Sequence, residues 1–204
     1  MNNKLPNLLV LGPPKTASTS LHFYLAQHPQ IFMSQTKETR YLDFGYKENL
    51  EGYSQYFNDA TNEPVIGETT PTYAILPFVA DRIKKHFPDV KLILCFRNPV
   101  DRAFSGWSMR KARGAEKATF REALELNLEQ RKTINFMGDA GAKRWFEDQS
   151  LNSSKNEILY RTYIDGSMYA EILKYYRSMF SDNQIKVIFT EDLKKNAFGV
   201  LSDI

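Results

Sequence analysis

The sequence predicts an α/β domain of three layers, with a central, mostly parallel sheet between helices. Three observations carry this. Short β-rich runs alternate with longer stretches of helical apolar spacing along the whole chain. The clearest run, Lys91-Leu92-Ile93-Leu94-Cys95-Phe96, is apolar without alternation, as expected of a strand covered on both faces. No repeat or low-complexity block interrupts the alternation, and 204 residues with 42% hydrophobic content can bury one continuous core. The chain therefore reads as a single domain over residues 1–204.

The elements follow in order. Leu8-Leu9-Val10-Leu11 is a strand ended by the turn signal Gly12-Pro13-Pro14. Ala17, Leu21, Tyr24, Leu25 and His28 then keep helical spacing. Ile31-Phe32-Met33 and Pro64-Val65-Ile66-Gly67 read as strands, and Val79, Ile83 and Phe87 mark a helix. After Lys91–Phe96, Pro99 suits the first turn of a helix, where its missing N–H costs little. That helix puts Val100, Ala103, Phe104 and Trp107 on one face, which predicts a packed stripe. Another helix is expected around Phe120, Ala123, Leu124 and Leu128. From about Gly138 to Asn156 glycines, serines and charges lie in poor periodicity, which predicts a loop, either a lid or a surface excursion. Tyr169, Ile172, Leu173, Tyr176 and Phe180 form a helical stripe before the strand Ile185–Phe189. A last helix starts near Glu191, and Phe198, Val200, Leu201 and Ile204 stay apolar to the final position. A natural end is more often polar, so the chain is expected to be truncated at its C-terminus.

Composition narrows the function classes. With 27 basic and 24 acidic residues the net charge of +3 is too even to mark a nucleic-acid binder. The basic stretch Arg110-Lys111-Ala112-Arg113 lacks interleaved aromatics and reads as a solvated helix end or a substrate-charge patch. The single Cys95 excludes an intramolecular disulfide and a four-cysteine zinc site. His22, His28 and His86 are scattered, so no metal site is expected. The longest apolar runs are far too short to cross a bilayer and the start lacks a signal-like stretch. These features predict a soluble, cytoplasmic protein; oligomeric state is not readable.

In a parallel sheet, ligands bind at the carboxyl ends of strands, where helix N-termini present free N–H groups. Three such places carry chemistry. Gly12-Pro13-Pro14-Lys15-Thr16-Ala17-Ser18-Thr19-Ser20 offers a tight turn, a point charge, hydroxyls and backbone N–H groups to an anion. It is no Walker A loop, because Pro14 stands where that pattern needs glycine. A plain turn with Ser/Thr caps fits the same residues. After the strongest strand, Arg97 places a planar fork at the sheet edge. Ser105 lies about 140° around the helix from Val100, off the packed stripe. An Arg–Asp surface pair with an ordinary helix serine is the alternative. Third, Gln35-Thr36-Lys37-Glu38-Thr39-Arg40 follows the second strand and puts a carboxylate on the same edge. That carboxylate suits a general base, with Lys37 and Arg40 as charge partners; a solvated loop fits equally. Two anion-reading edges together suit a ligand with two separated phosphates. Tyr41, Tyr73 and Trp107 are candidates either for an acceptor pocket or for the core.

Together these segments resemble the sulfotransferases that use 3′-phosphoadenosine 5′-phosphosulfate (PAPS), nearest the heparan-sulfate type and the sulfotransferase half of the N-deacetylase/N-sulfotransferases. LPNLLVLGPPKTASTSLHFYLAQHP is similar to that branch's 5′-phosphosulfate loop, a P-loop-like element, and KLILCFRNPVDRAFSGW to its 3′-phosphate strand–loop–helix. KETRYL, GETTPTY and the segment from Tyr163 to Asn196 are similar to its later motifs. The resemblance implies that Lys15 contacts the phosphosulfate and stabilises the leaving oxygen. It implies that Thr16, Ala17, Ser18 and Thr19 bind that phosphate, and that Arg97 and Ser105 hold the 3′-phosphate. Glu38 then takes the acceptor's proton during in-line attack on sulfur, without a metal, and adenosine 3′,5′-bisphosphate is the product. The acceptor is a small molecule or carbohydrate bearing a hydroxyl, with an amine second. Thr69 stands where the family carries lysine, which removes a cation from the acceptor side. Two alternatives remain at this stage: a non-catalytic nucleotide-binding module of the same fold, and a P-loop kinase or NTPase, which needs a strand-end carboxylate such as Glu191 for Mg²⁺.

Overall fold

A computed structural model describes residues 4–151, 158 and 160–204. Five parallel strands form the sheet: β1 (Leu8–Leu11), β2 (Ile31–Met33), β3 (Val65–Thr69), β4 (Lys91–Phe96) and β5 (Ile185–Phe189). Their spatial order is β2-β3-β1-β4-β5. The helices are α1 (Ser18–Leu25), α2 (Glu51–Ser54), α3 (Pro77–His86), α4 (Pro99–Ala112), α5 (Phe120–Thr133), α6 (Asp139–Leu151), α7 (Tyr169–Arg177), α8 (Thr190–Lys195) and α9 (Ala197–Ser202). Among the described residues no helix is long and apolar enough to cross a membrane.

Alternation along the central strands makes the three layers, since successive side chains point to opposite faces. Leu9, Leu11, Leu92, Leu94 and Phe96 join one core with Val79 and Ile83 of α3 and Ile172 and Tyr176 of α7. Leu8, Val10, Ile93 and Cys95 face the other way, onto Leu21 and Leu25 of α1 and Leu193 of α8. The second face explains why β1 and β4 read as unbroken apolar runs.

Two expectations need correction. The stretch from Gly138 begins not as a loop but as α6: Ala142 and Trp145 are buried against the main core and Phe146 packs on it. That apolar spacing is too short a signal to stand out among the surrounding charges. Residues 152–156 lie outside the described residues. On α4 the expected stripe packs only in part: Val100 is 65% exposed, and Phe104, 50% exposed, meets the Phe120 ring edge-on at 5.2 Å. Ala103 is buried in a small cluster with Ala123 of α5 and Tyr163, with Trp107 packed against it.

The chain winds to one side of β1 through β3 and then crosses to the other side at β4. The crevice of such a sheet opens at this reversal, outside the carboxyl ends of the strands. β1 and β4 are paired in register from Leu8↔Lys91 to Leu11↔Leu94, so the segments after Leu11 and after Phe96 leave the sheet side by side.

Candidate active site

The turn after β1 closes tightly on β4. Gly12 has φ +151°, and a Cβ there would lie 2.4 Å from the Cys95 carbonyl oxygen and 2.8 Å from Thr16 Oγ1, so only glycine fits. Lys15 (φ +83°) and Ala17 (φ +61°) both adopt the left-handed region, a conformation that curls successive N–H groups into an anion-binding concavity. Helix α1 starts at Ser18 with no side chain capping it, so its first N–H groups stay free for a ligand. Ser18 is buried at this start, Thr19 is exposed, and Lys15 is half-buried with its Nζ 3.9 Å from Met109 Sδ of α4. Thr16 differs from expectation: its buried hydroxyl donates to the Pro13 carbonyl at 2.9 Å. It closes the loop, leaving its backbone N–H as the group that can meet a phosphate.

Arg97 stands at the end of β4, with Nη1 3.5 Å from the Lys15 carbonyl oxygen. Its Nε is buried without a hydrogen-bond partner. A cationic fork at a sheet edge with an unsatisfied donor suits a phosphate. Asn98 caps α4, accepting hydrogen bonds from the amides of Val100 and Asp101. Glu191 Oε1 accepts from the Asn98 amide at 3.0 Å, which ties the ends of β4 and β5 together. Along α4, Arg102, Ser105 and Met109 share one helical face. Arg102 Nη1 reaches the Pro14 carbonyl at 3.5 Å and Met109 meets Lys15. The half-buried Ser105, lying between them, is thereby turned toward the same loop.

Arg102 was not among the expected site residues. It is buried and, among the described residues, makes no ion pair; its donors serve Ser167 Oγ at 2.7 Å and the carbonyls of Thr162, Tyr163 and Pro14. Burial pulls its pKa down to about 10. Gly166 leaves room for it, since a Cβ there would lie 3.0 Å from Nη1. The arginine stitches the turn after β1 to the segment preceding α7.

Glu38 lies on the loop after β2, its side chain one-third exposed, with Lys37 Nζ 3.8 Å from Oε1. Arg40 is not its partner: that guanidinium binds Asp43 Oδ2 at 2.9 Å and covers the Phe44 ring. Burial lowers the pKa of Lys37, while the charges of Glu38 and Glu68 draw it up. Burial and Lys37 together lower the pKa of His22, whose Nδ1 is 3.0 Å from Thr69 Oγ1. Tyr41 and Tyr73 are core residues, 5% and 0% exposed, whereas Trp107 is half-buried between α4 and α5.

Sequence reading also assigned no role to Glu68, which is fully buried at the end of β3. Burial pushes its carboxyl up to about 7, against the lowering by hydroxyls that donate to it. A lone glutamate inside the β-rich run Val65–Thr69 was the available signal. Among the described residues no group of three or more His, Cys, Asp or Glu side chains is placed to hold a metal ion. A groove of about 910 Å³ opens at the other rim of the sheet, lined in part by Leu25, Ile31 and Phe198. None of the expected residues lines it.

Comparison with known proteins agrees with this geometry. Over 104 residues, half of the chain, it is 39% identical to the membrane-associated sulfotransferase kil1 of Dictyostelium discoideum. Over 98% of its length it is 28% identical to the bifunctional heparan sulfate N-deacetylase/N-sulfotransferase 1 of Caenorhabditis briggsae. The chain spans 22% of the length of each of these relatives. A sulfotransferase from Alicyclobacillus acidocaldarius superposes with a TM-score of 0.77 at 26% identity, covering 98% of this chain and 79% of that one. The model of the sulfotransferase domain matches residues 5–204, and with that match spanning both the Lys15 turn and the Arg97 strand end, the chain belongs to the sulfotransferase domain family.

Proposed function

We propose that this domain transfers a sulfonate group from PAPS to an acceptor hydroxyl. The observation that carries the reading is the adjacency of the Lys15 turn and the Arg97 strand end, with Arg97 Nη1 3.5 Å from the Lys15 carbonyl oxygen and Arg97 Nε buried and unpartnered. A nucleotide with phosphates at both ends has a cation or an N–H concavity for each. The Lys15–Thr19 loop takes the 5′-phosphosulfate, and Arg97 with Ser105 takes the 3′-phosphate. The acceptor oxygen attacks sulfur as the bond from sulfur to the bridging phosphate oxygen breaks. Glu38 accepts the hydroxyl proton, and Lys15 neutralises the charge left on the 5′-phosphate. Positioning and charge stabilisation supply the rate.

Small molecules and carbohydrates are the acceptor classes proposed. Thr69 is buried and engaged with His22, so no cation stands there to favour a polyanionic acceptor. The likeness to an N-deacetylase/N-sulfotransferase keeps an amine as the second reading. The test is calorimetry with adenosine 3′,5′-bisphosphate and with ATP, each with and without Mg²⁺, beside a sulfonate-transfer assay from PAPS. The bisphosphate is expected to bind without Mg²⁺ and more tightly than ATP. Glu38→Gln is expected to abolish transfer while leaving bisphosphate affinity within about twofold. Preference for Mg·ATP, or full turnover by Glu38→Gln, overturns the reading.

A further inference from the structure

We infer that Glu68 is a positioning residue for Glu38, holding the loop that carries it to the end of β3; the catalytic meaning rests on the function proposed above. The connection is continuous. Tyr53 of α2 donates its hydroxyl to Glu68 Oε1 at 2.8 Å, and Thr70 donates to Oε2 at 2.8 Å. The same Thr70 oxygen accepts the backbone N–H of Arg40 at 3.3 Å. Arg40, two residues after Glu38, has φ +53°, a conformation that for a non-glycine residue persists only when its surroundings hold it. Beside this tether, the Tyr73 hydroxyl accepts the Leu42 N–H at 2.9 Å and lies 3.4 Å from Thr39 Oγ1. The loop is therefore fastened immediately after Glu38 at two hydroxyls of the turn following β3, and Glu68 orients the first of them.

Charge adds a second connection. Lys37 is drawn electrostatically to both Glu68 and Glu38 and sits 3.8 Å from Glu38 Oε1. The titratable groups around Glu68 are Tyr53 from α2, Tyr73 from the turn after β3 and Lys37 from the loop after β2, with His22 of α1 on the neighbouring Thr69. Both tyrosines have pKa values raised well above the ordinary phenol range by burial, and burial with Lys37 lowers that of His22, so the histidine titrates on the acid side of Glu68. Glu68 itself is sealed from solvent and touches no substrate; it acts through Thr70 and Lys37. The amide of Glu68→Gln keeps the shape but offers one acceptor oxygen in place of two, so it cannot receive both the Tyr53 and the Thr70 hydroxyls, and it carries no charge to balance Lys37.

The decisive measurement is a ¹³C NMR titration of carboxyl-labelled glutamates in the intact chain, which needs no acceptor. The Glu38 signal of the wild-type protein is expected to show an inflection where Glu68 titrates, near pH 7. The inflection is absent in Glu68→Gln and at least halved in Thr70→Val, in which Glu68 itself still titrates. A Glu38 signal indifferent to the Glu68 titration overturns the inference. In the transfer assay, Glu68→Gln is expected to lower kcat on the order of 10- to 100-fold, with the KM for PAPS and the bisphosphate affinity within about twofold. Unchanged kcat in Glu68→Gln sinks the positioning role. Failure of the wild type to bind the bisphosphate sinks the sulfotransferase reading instead and leaves the NMR result to judge the tether.

Discussion

Glu68 ties stability to pH. Its carboxyl is raised from 4.5 to about 7 because burial disfavours the charge more than its hydroxyl partners favour it. A folded-state pKa above the unfolded value means that the folded chain binds the proton more tightly. The stabilising contribution is complete below pH 4.5 and is lost as pH rises through about 7. The gap corresponds to about 3 kcal/mol. Urea unfolding at a series of pH values from 4.5 to 8 is expected to show the wild-type stability declining over this range more steeply than that of Glu68→Gln, by about that amount. Identical slopes for the two proteins contradict the buried-carboxyl assignment. The same residue marks the limit of reading chemistry from composition. Glu38, beside a lysine in a polar segment, reads as a general base, whereas Glu68, a lone glutamate in a β-rich run and part of GETTPTY, is assigned no role by the sequence, because the hydroxyls that three segments bring to it are set by the fold. Thr16 taught the same lesson in reverse, its hydroxyl being consumed by Pro13.

Among the elements, the strands were the most legible, and β4 coincides with the apolar run that predicted it. Helices were harder wherever their partner was not the sheet. The spacing of Val100, Ala103, Phe104 and Trp107 is helical, yet spacing specifies only that a face exists. The packing of α4 on α5 buried Ala103, set Phe104 edge-on against Phe120 and left Val100 in water. Helix α6 is the converse case: its sequence is charged and glycine-bearing, but Trp145 is 4% exposed and meets the Phe136 ring edge-on at 6.3 Å. Trp145→Ala is expected to cost about 3–5 kcal/mol, read as a lower midpoint in thermal or urea unfolding. A change under about 1 kcal/mol would mean that α6 is not docked on the core. Caps were local and therefore readable in kind: Pro99 opens α4, with Asn98 as the side chain that completes the cap.

At the scale of the whole molecule, the nucleotide reading depends on bringing together residues 82 positions apart, Lys15 and Arg97. Lys15→Ala and Arg97→Ala are each expected to weaken adenosine 3′,5′-bisphosphate binding about 10- to 100-fold by calorimetry, on the scale of one charge-assisted hydrogen bond. Alanine at His86, which is bound to Tyr46 away from the cleft, is expected to leave it unchanged. A loss at only one of the two strand ends would place the nucleotide across a different path. The sequence by itself determined the alternation of strands and helices, the glycine turn after β1 and the residue types offered at each strand end. These are local properties, written in periodicity and turn chemistry over a few residues. Only the tertiary structure decided the order β2-β3-β1-β4-β5, the contact between the two cationic loops, and the seclusion of Glu68 beneath the loop of Glu38. Adjacency and burial arise from distant parts of the chain covering one another, and a short stretch of sequence does not record what will come to lie against it.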